Sequence, residues 1–546
     1  MNRWWHLTCL VLAACSTPPR PPPEHAFDPK PWLEDLAQLE DALGQHYANL
    51  EWDVRHQGLD AAALDRTARE AISRAGSERE ALEAMVRFIA AFRDPHLSWT
   101  LPQPRIRYDL RFTSDGSSVR IQRAGPAACG AQPGDVVEAI QGRPALEQLQ
   151  VRLPLARMPN LLVRREEALG TFTSSSLASP EALRFTFVRE SVTRECVLTP
   201  RAPDPAPPAP DSLTADTPGV KACEALGITA ASAPASPLLF RPERHSAFTP
   251  AAAPPFGAGT VRLDSGAQLG WLRIPLFSEE AFPAFCAQAW DAFRAHLTGP
   301  CDEQCRGDFD GEVLISGLVG AIAAQLDAFR TAKVSGVVVD ISDNGGGGDW
   351  VLDTARLLST APLSCPAGAR VRESAAVESA AHDVKEAESC GAPPPDVAWA
   401  KAVQAEIAQP CDWRPVFRTG APVPECSMLT RSRRSPCYPS IGAGLPCAAQ
   451  KPPLDGGRER GLRGAPLYVL MNRNTASAAE LFAAILRDNG AATLVGERSL
   501  GAGCGYIDGA NRIQLRHSGL KLRAPNCVRF RRDGANEVDG IAPDRA

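Results

Sequence analysis

Apolar and polar positions recur with different periods along the chain, and the period sets the element expected. Residues 30–95 carry apolar side chains at helical spacing: Trp32, Leu33, Leu36, Leu39 and Leu43 form one stripe. Leu82, Met85, Val86 and Ile89 form another, behind a Ser77-Glu-Arg-Glu80 capping box. Residues 104–200 alternate as short strands do. From about residue 260 strands and helices take turns: a strand at 269–274, helices at 279–297 and 313–330, and a strand at 334–340. That order implies parallel strands joined by crossover helices, an α/β core. Residues 467–471 are a further continuous apolar run of strand length, after which Leu481, Phe482, Ile485 and Leu486 return at helical spacing. Residues 507–530 read as two or three antiparallel strands that close the domain.

Two stretches break this rhythm. Residues 201–258 are rich in proline and alanine, with Pro205, Pro207, Pro208 and Pro210 closely spaced, so a stiff, solvated linker is expected. Its later part, around Cys223 and residues 238–240, is expected to pack on the core. Residues 361–462 hold six cysteines and few apolar runs, which reads as an insertion where disulfides replace a core.

Composition adds a size and a compartment. At 546 residues and 44% apolar, the chain has material for two or three cores. The net charge of −5, with both signs interspersed, makes no case for nucleic acid. Arg3 precedes a short apolar run that ends in Leu12-Ala-Ala-Cys15, too short to span a bilayer. It resembles a bacterial lipoprotein lipobox. The resemblance implies removal of residues 1–14, acylation of Cys15, and a loose tether over residues 15–29. Several acyl chains anchor stably where one does not, so the membrane is an expected partner. Ser16 after the cysteine points to the outer membrane, facing the periplasm. Of sixteen cysteines, fourteen remain once Cys9 and Cys15 are set aside, an even number in a compartment that permits disulfides. Cys301 and Cys305 lack a second pair or nearby histidines, so structural bridges are expected rather than zinc, and no cofactor. Cys504 and Cys527 fall on segments expected to be neighbouring strands and are expected to pair.

The candidate chemistry gathers at two strand ends. Residues 472–480, Asn-Arg-Asn-Thr-Ala-Ser-Ala-Ala-Glu, follow one apolar strand and place Ser477 in the first turn of a helix. There the free N–H groups, starting with that of Ala478, would face an oxyanion. The local pattern equally fits Thr475 as a plain helix cap and Ser477 as a packing residue. The other strand breaks into Asp343-Asn-Gly-Gly-Gly-Gly348; such a run suits a phosphate cradle or an oxyanion hole. The Lys-Ser/Thr of a phosphate loop is missing, so Gly346 and Gly347 are assigned to an oxyanion hole.

These two segments, together with residues 486–501 and the final Asp539-Gly-Ile-Ala-Pro-Asp544, closely resemble the tail-specific, or C-terminal processing, serine peptidases. The same fold carries the tricorn protease core and the interphotoreceptor retinoid-binding proteins. The resemblance covers most of residues 30–200 and 260–546 and implies a crotonase-like ββα protease core over 259–546, with an N-terminal helical part at 30–102. Residues 132–142, Gln-Pro-Gly-Asp-Val-Val-Glu-Ala-Ile-Gln-Gly, resemble a PDZ signature, so 103–200 is either a PDZ-like peptide acceptor or a β-module that only packs on the core. In the tail-specific branch a lysine is the base, and Ala502 stands at its place. The Asp94-Pro-His96 segment instead resembles the histidine element of the tricorn-like branch, which makes His96 the general base. The final element supplies Glu537 to stabilise the imidazolium. That branch has a serine just before the histidine, relaying it to the glutamate, where this chain has Pro95; Ser98 or water is an alternative relay.

The expectation is therefore a lipid-anchored serine peptidase cutting extended or misfolded polypeptide through an acyl-enzyme, with catalytic Ser477, His96 and Glu537. Its rivals are a non-catalytic peptide- or lipid-binding lipoprotein on the same fold, and an accessory lipoprotein whose cysteine-rich insertion carries the partner site.

Overall fold

In the computed structural model the central sheet has the strand order Phe248–Pro250, Gly257–Arg262, Gln268–Arg273, Gly336–Asp340, Leu467–Met471 and Thr493–Gly496. The structure describes residues 27–546 except 103–104, 179–180, 202–212, 230–246, 252–254, 349, 374–375, 390–393, 435–459 and 508–511. The first two strand pairs are antiparallel and the last three parallel, as the βαβ spacing of the sequence requires. Helix Ser316–Thr331 lies on the sheet through Leu318, Ile322, Leu326 and Phe329. Helix Ala478–Asp488 is buried through Ala479, Phe482, Ile485 and Leu486. The strands Gly336–Asp340 and Leu467–Met471 are register partners, so the glycine run and the serine segment leave the sheet side by side.

A second core explains residues 361–462 differently from the expectation. Its strand Ala367–Arg370 pairs antiparallel with Cys527–Phe530, and Val371, Trp413, Phe417 and Met428 pack with Leu36, Leu43, Phe88 and Phe92 of the N-terminal helices. Part of it is thus built into an apolar core shared with distant parts of the chain, on which Cys411–Cys426 fastens a loop, while helices Val377–Ser389 and Pro394–Ile407 pack together through a small cluster of their own, Ala380, Val403 and Ile407. Of the closing strands, Lys521–Arg523 lies between Ser98–Thr100 and Arg512–Gln514 and pairs antiparallel with both, while the third joins the insertion. The helical stripe of residues 30–95 is as the pattern predicts, with Leu36, Leu39 and Leu43 fully buried. Ser77 Oγ accepts from Glu80 N at 3.3 Å, but the Glu80 carboxylate reaches Gly76 N rather than completing the box.

Residues 106–198 form a separate β-module: Leu110–Ser114, Val119–Ala124, Val136–Ile140, Leu183–Arg189 and Val192–Leu198 in one antiparallel sheet. Helix Leu161–Thr173 lies against it, and it has its own core of Phe112, Ile121, Phe185 and Phe187. The segment around Cys223 packs as expected, helix Gly219–Ala225 being tied to helix Pro283–Phe293 by Cys223–Cys286. The linker reading is corrected at its end, where strands Phe248–Pro250 and Gly257–Arg262 belong to the central sheet. Residues 238–240, like Cys15, lie outside the described residues. Cys129–Cys196, Cys301–Cys305 and Cys504–Cys527 are also bridged, the last at a Cα separation of 5.6 Å.

Candidate active site

Ser477 sits at the N-cap of helix Ala478–Asp488 with φ 56° and ψ −119°. Positive φ is costly for a residue with a Cβ, about 1–3 kcal/mol, and survives only where surrounding bonds impose it. Here they do. Ala476 N donates to the Asn344 carbonyl at 2.9 Å, Thr475 Oγ1 to the Ile341 carbonyl at 3.1 Å, and Leu500 N to the Thr475 carbonyl at 2.9 Å. Thr475 therefore stitches two strand ends together and does not cap the helix. The elbow brings Ser477 Oγ to 3.2 Å from His96 Nε2.

His96 arrives from the turn after helix Glu78–Ala90, where Asp94 Oδ1 accepts from its backbone N–H at 2.8 Å. Its Nδ1 donates to the Ala502 carbonyl at 2.6 Å. A carbonyl only accepts, so the proton of the neutral ring sits on Nδ1 and the Nε2 lone pair faces the serine hydroxyl. Ala502 thus contributes to the site through its backbone. Burial pulls the His96 pKa below its usual value, Asp94 and the Ala502 carbonyl oppose this, and Arg529 and Arg157 reinforce it.

Glu480, three residues after the serine, is fully buried and carries a role the sequence reading missed. It accepts from Ser477 N at 2.8 Å, Ser499 Oγ at 2.5 Å, Gly501 N at 2.6 Å, Ala502 N at 2.8 Å and Gly503 N at 3.3 Å. Burial pushes its carboxyl up, against the pull of these donors. One carboxylate therefore fixes both the nucleophile's backbone and the loop whose Ala502 carbonyl orients His96. The signal available in sequence was the Ser-x-x-Glu spacing of a capping box.

Glu537 does not touch His96. It is fully buried, burial pushes its carboxyl up, and Arg529 Nε donates to its Oε2 at 2.6 Å. Arg529 Nη2 also donates to the Gly503 carbonyl at 2.9 Å, within the loop that holds Ala502. Glu537 is thus joined to the site through an arginine, and its Oε1 has no partner among the described residues. The Ser98 relay is absent as well: Ser98 Oγ lies 3.3 Å from the Tyr506 hydroxyl, which donates to the His96 backbone carbonyl and not to the ring.

The glycine run passes directly beside the serine. A Cβ on Gly346, at φ +106°, would lie 2.7 Å from Ser477 Cβ, so only glycine fits. Its N–H is bound to Asn344 Oδ1 at 2.9 Å, which removes Gly346 from the expected oxyanion donors. The N–H groups of Gly347 and Ala478 have no hydrogen-bond partner among the described residues. Gly347 is held by its neighbours, with Phe277 N donating to the Gly346 carbonyl at 2.8 Å and Gly348 N to the Phe277 carbonyl at 2.6 Å. The arrangement offers a hydroxyl, a correctly tautomeric base and two free donors at one place.

A family model for Peptidase family S41 matches residues 317–546. A carboxyl-terminal-processing protease of Picosynechococcus sp. is 57% identical over 42 residues, 8% of this chain and 10% of that protein, so the match spans about a tenth of the relative's length. Mature CPAF complexed with lactacystin is similar with a TM-score of 0.60 at 18% identity, over 95% of this chain and 93% of that one. Mature CPAF by itself gives a TM-score of 0.60 at 18% identity over 95% and 92%. At this identity the two structures establish a shared fold.

Proposed function

We propose that this chain, residues 317–546 of which belong to peptidase family S41, is a serine peptidase that cleaves extended polypeptide through an acyl-enzyme on Ser477. The observation that carries the reading is the 3.2 Å contact of Ser477 Oγ with a His96 ring whose other nitrogen is committed to the Ala502 carbonyl. Nε2 takes the hydroxyl proton as Oγ attacks the peptide carbonyl, and returns it to the leaving amine. The N–H groups of Gly347 and Ala478 receive the oxyanion, at the positive end of helix Ala478–Asp488. Glu537 acts by neutralising Arg529, whose charge otherwise opposes the imidazolium. The core is read as crotonase-like, and the β-module as a PDZ-like acceptor that adds a peptide to the edge strand Leu110–Ser114. Thr113 Oγ1 bonds Glu166 Oε1 at 2.9 Å across that edge, so an added strand has to displace this contact. The protein is further read as a lipoprotein anchored through Cys15 to the outer membrane and facing the periplasm.

A fluorophosphonate probe tests the chemistry, because only an activated serine reacts. Intact protein should label on Ser477, and Ser477→Ala and His96→Ala should lose labelling and casein hydrolysis to the same extent, since a nucleophile and its base act as a unit. Full turnover by His96→Ala would place the base elsewhere, and an unlabelled wild type would favour a binding protein on this fold.

A further inference from the structure

Away from Ser477, helices Ala61–Arg74 and Glu78–Ala90 and residues 150–164 of the β-module line a groove of about 560 Å³ that is open to solvent at the exposed Thr67, Arg87, Arg93 and Gln150. Small-molecule pockets usually span roughly 300–1,000 Å³. The walls are apolar, formed by Leu64, Ala71, Ala84, Phe88, Leu153 and Pro154, and the uncharged polar side chains among them are those of Thr67 and Gln150. Three arginines complete the lining, and no carboxylate of the described residues does. Arg87 is paired with Glu83 at 3.4 Å. Arg93 and Arg164 are not: neither makes an ion pair among the described residues, and Arg164 Nη1 is buried without a hydrogen-bond partner. Burial, with the charges of Arg93 and Arg165, pulls the Arg164 guanidinium below its usual value, against the weaker opposing pull of Glu167.

An apolar groove whose unpaired charges are the exposed Arg93 and the half-buried Arg164 is complementary to an amphiphile with an anionic head. We propose that this groove binds a long-chain carboxylate, the chain lying along the apolar walls and the carboxylate held by Arg93 and Arg164. A peptide would have to satisfy its backbone N–H and C=O groups against Thr67, Gln150 or solvent, whereas an acyl chain brings no polar group along the apolar wall. The site is separate from the serine, so it stands whether or not the peptidase reading holds.

Calorimetric titration of the full chain with laurate, below its micelle concentration, tests the proposal. One saturable site is expected, with Kd raised at least roughly tenfold when dodecanol replaces laurate or when Arg93→Gln and Arg164→Gln are combined, because each removes the charge-assisted hydrogen bonds. Ala71→Phe, which fills the groove and leaves both arginines in place, should weaken laurate as strongly; the far-ultraviolet spectrum and melting temperature of each variant check its fold. Absence of saturable binding, equal affinity for dodecanol, unchanged affinity in Ala71→Phe, or displacement of laurate by an apolar pentapeptide with the higher affinity would each overturn the assignment.

Discussion

The 2.6 Å bond from His96 Nδ1 to the Ala502 carbonyl sets a tautomer but supplies no charge, which distinguishes this site from one where a carboxylate faces the imidazole. Burial, with Arg529 and Arg157 nearby, holds the His96 pKa below the reference value of about 6.5, so the neutral base persists to lower pH. The acid limb of kcat/KM should therefore fall below the ordinary imidazole range. Arg157→Gln removes a cation that disfavours the imidazolium, and the limb should move up; a pH–rate profile that stays in place would show that Arg157 does not act on the ring. Glu480 sets position rather than charge at the reacting atoms. Glu480→Gln turns an amide N–H₂ toward backbone N–H donors, so the Ala502 carbonyl and the Ser477 elbow should shift relative to each other. A displacement of about 1 Å costs on the order of 10²-fold, and the loss should fall on kcat with KM little changed. Steady-state kinetics on labelled casein, with a melt confirming the fold, measure the split.

Two elements meet at the serine, and each is intolerant of a single atom. Gly346→Ala places a methyl 2.7 Å from Ser477 Cβ on a backbone with φ +106°. A stability loss of about 1–3 kcal/mol in urea and loss of fluorophosphonate labelling are expected together. Retained labelling would mean that the run moves without disturbing the nucleophile. The insertion is judged the same way. Trp413 is fully buried between the insertion and the N-terminal helices, and its Nε1 donates to the Cys426 carbonyl at 3.2 Å. Trp413→Ala should cost about 3–5 kcal/mol and lower the main unfolding transition, because the core it leaves is shared. An early, separate transition with the main one unchanged would restore the insertion as an independent unit. Its misreading has a physical cause. Ala369, Val371, Val416 and Met428 are scattered, so no local period marks them, and their partners lie far away in the chain.

At the scale of the molecule, a bacterial lipoprotein reading joins a signal, a tether and a bridged envelope protein. Metabolic labelling with an alkyne-bearing palmitate should mark the wild type and spare Cys15→Ser; equal labelling of both would remove the anchor. What the sequence determined by itself was whatever local order encodes: strand and helix periods, the parallel α/β core that follows from their alternation, the serine at a helix start, the glycine run at another strand end, and the histidine segment. The Cys504–Cys527 bridge was also legible, because strand order placed the two together. Tertiary structure alone decided which groups meet across long separations. His96 reaches Ser477 across 381 residues, Nδ1 finds a backbone carbonyl that no side-chain pattern announces, and Glu537 is taken by Arg529. Backbone acceptors carry no sequence signature, and a buried carboxylate binds whichever cation or donor the packed core brings within reach.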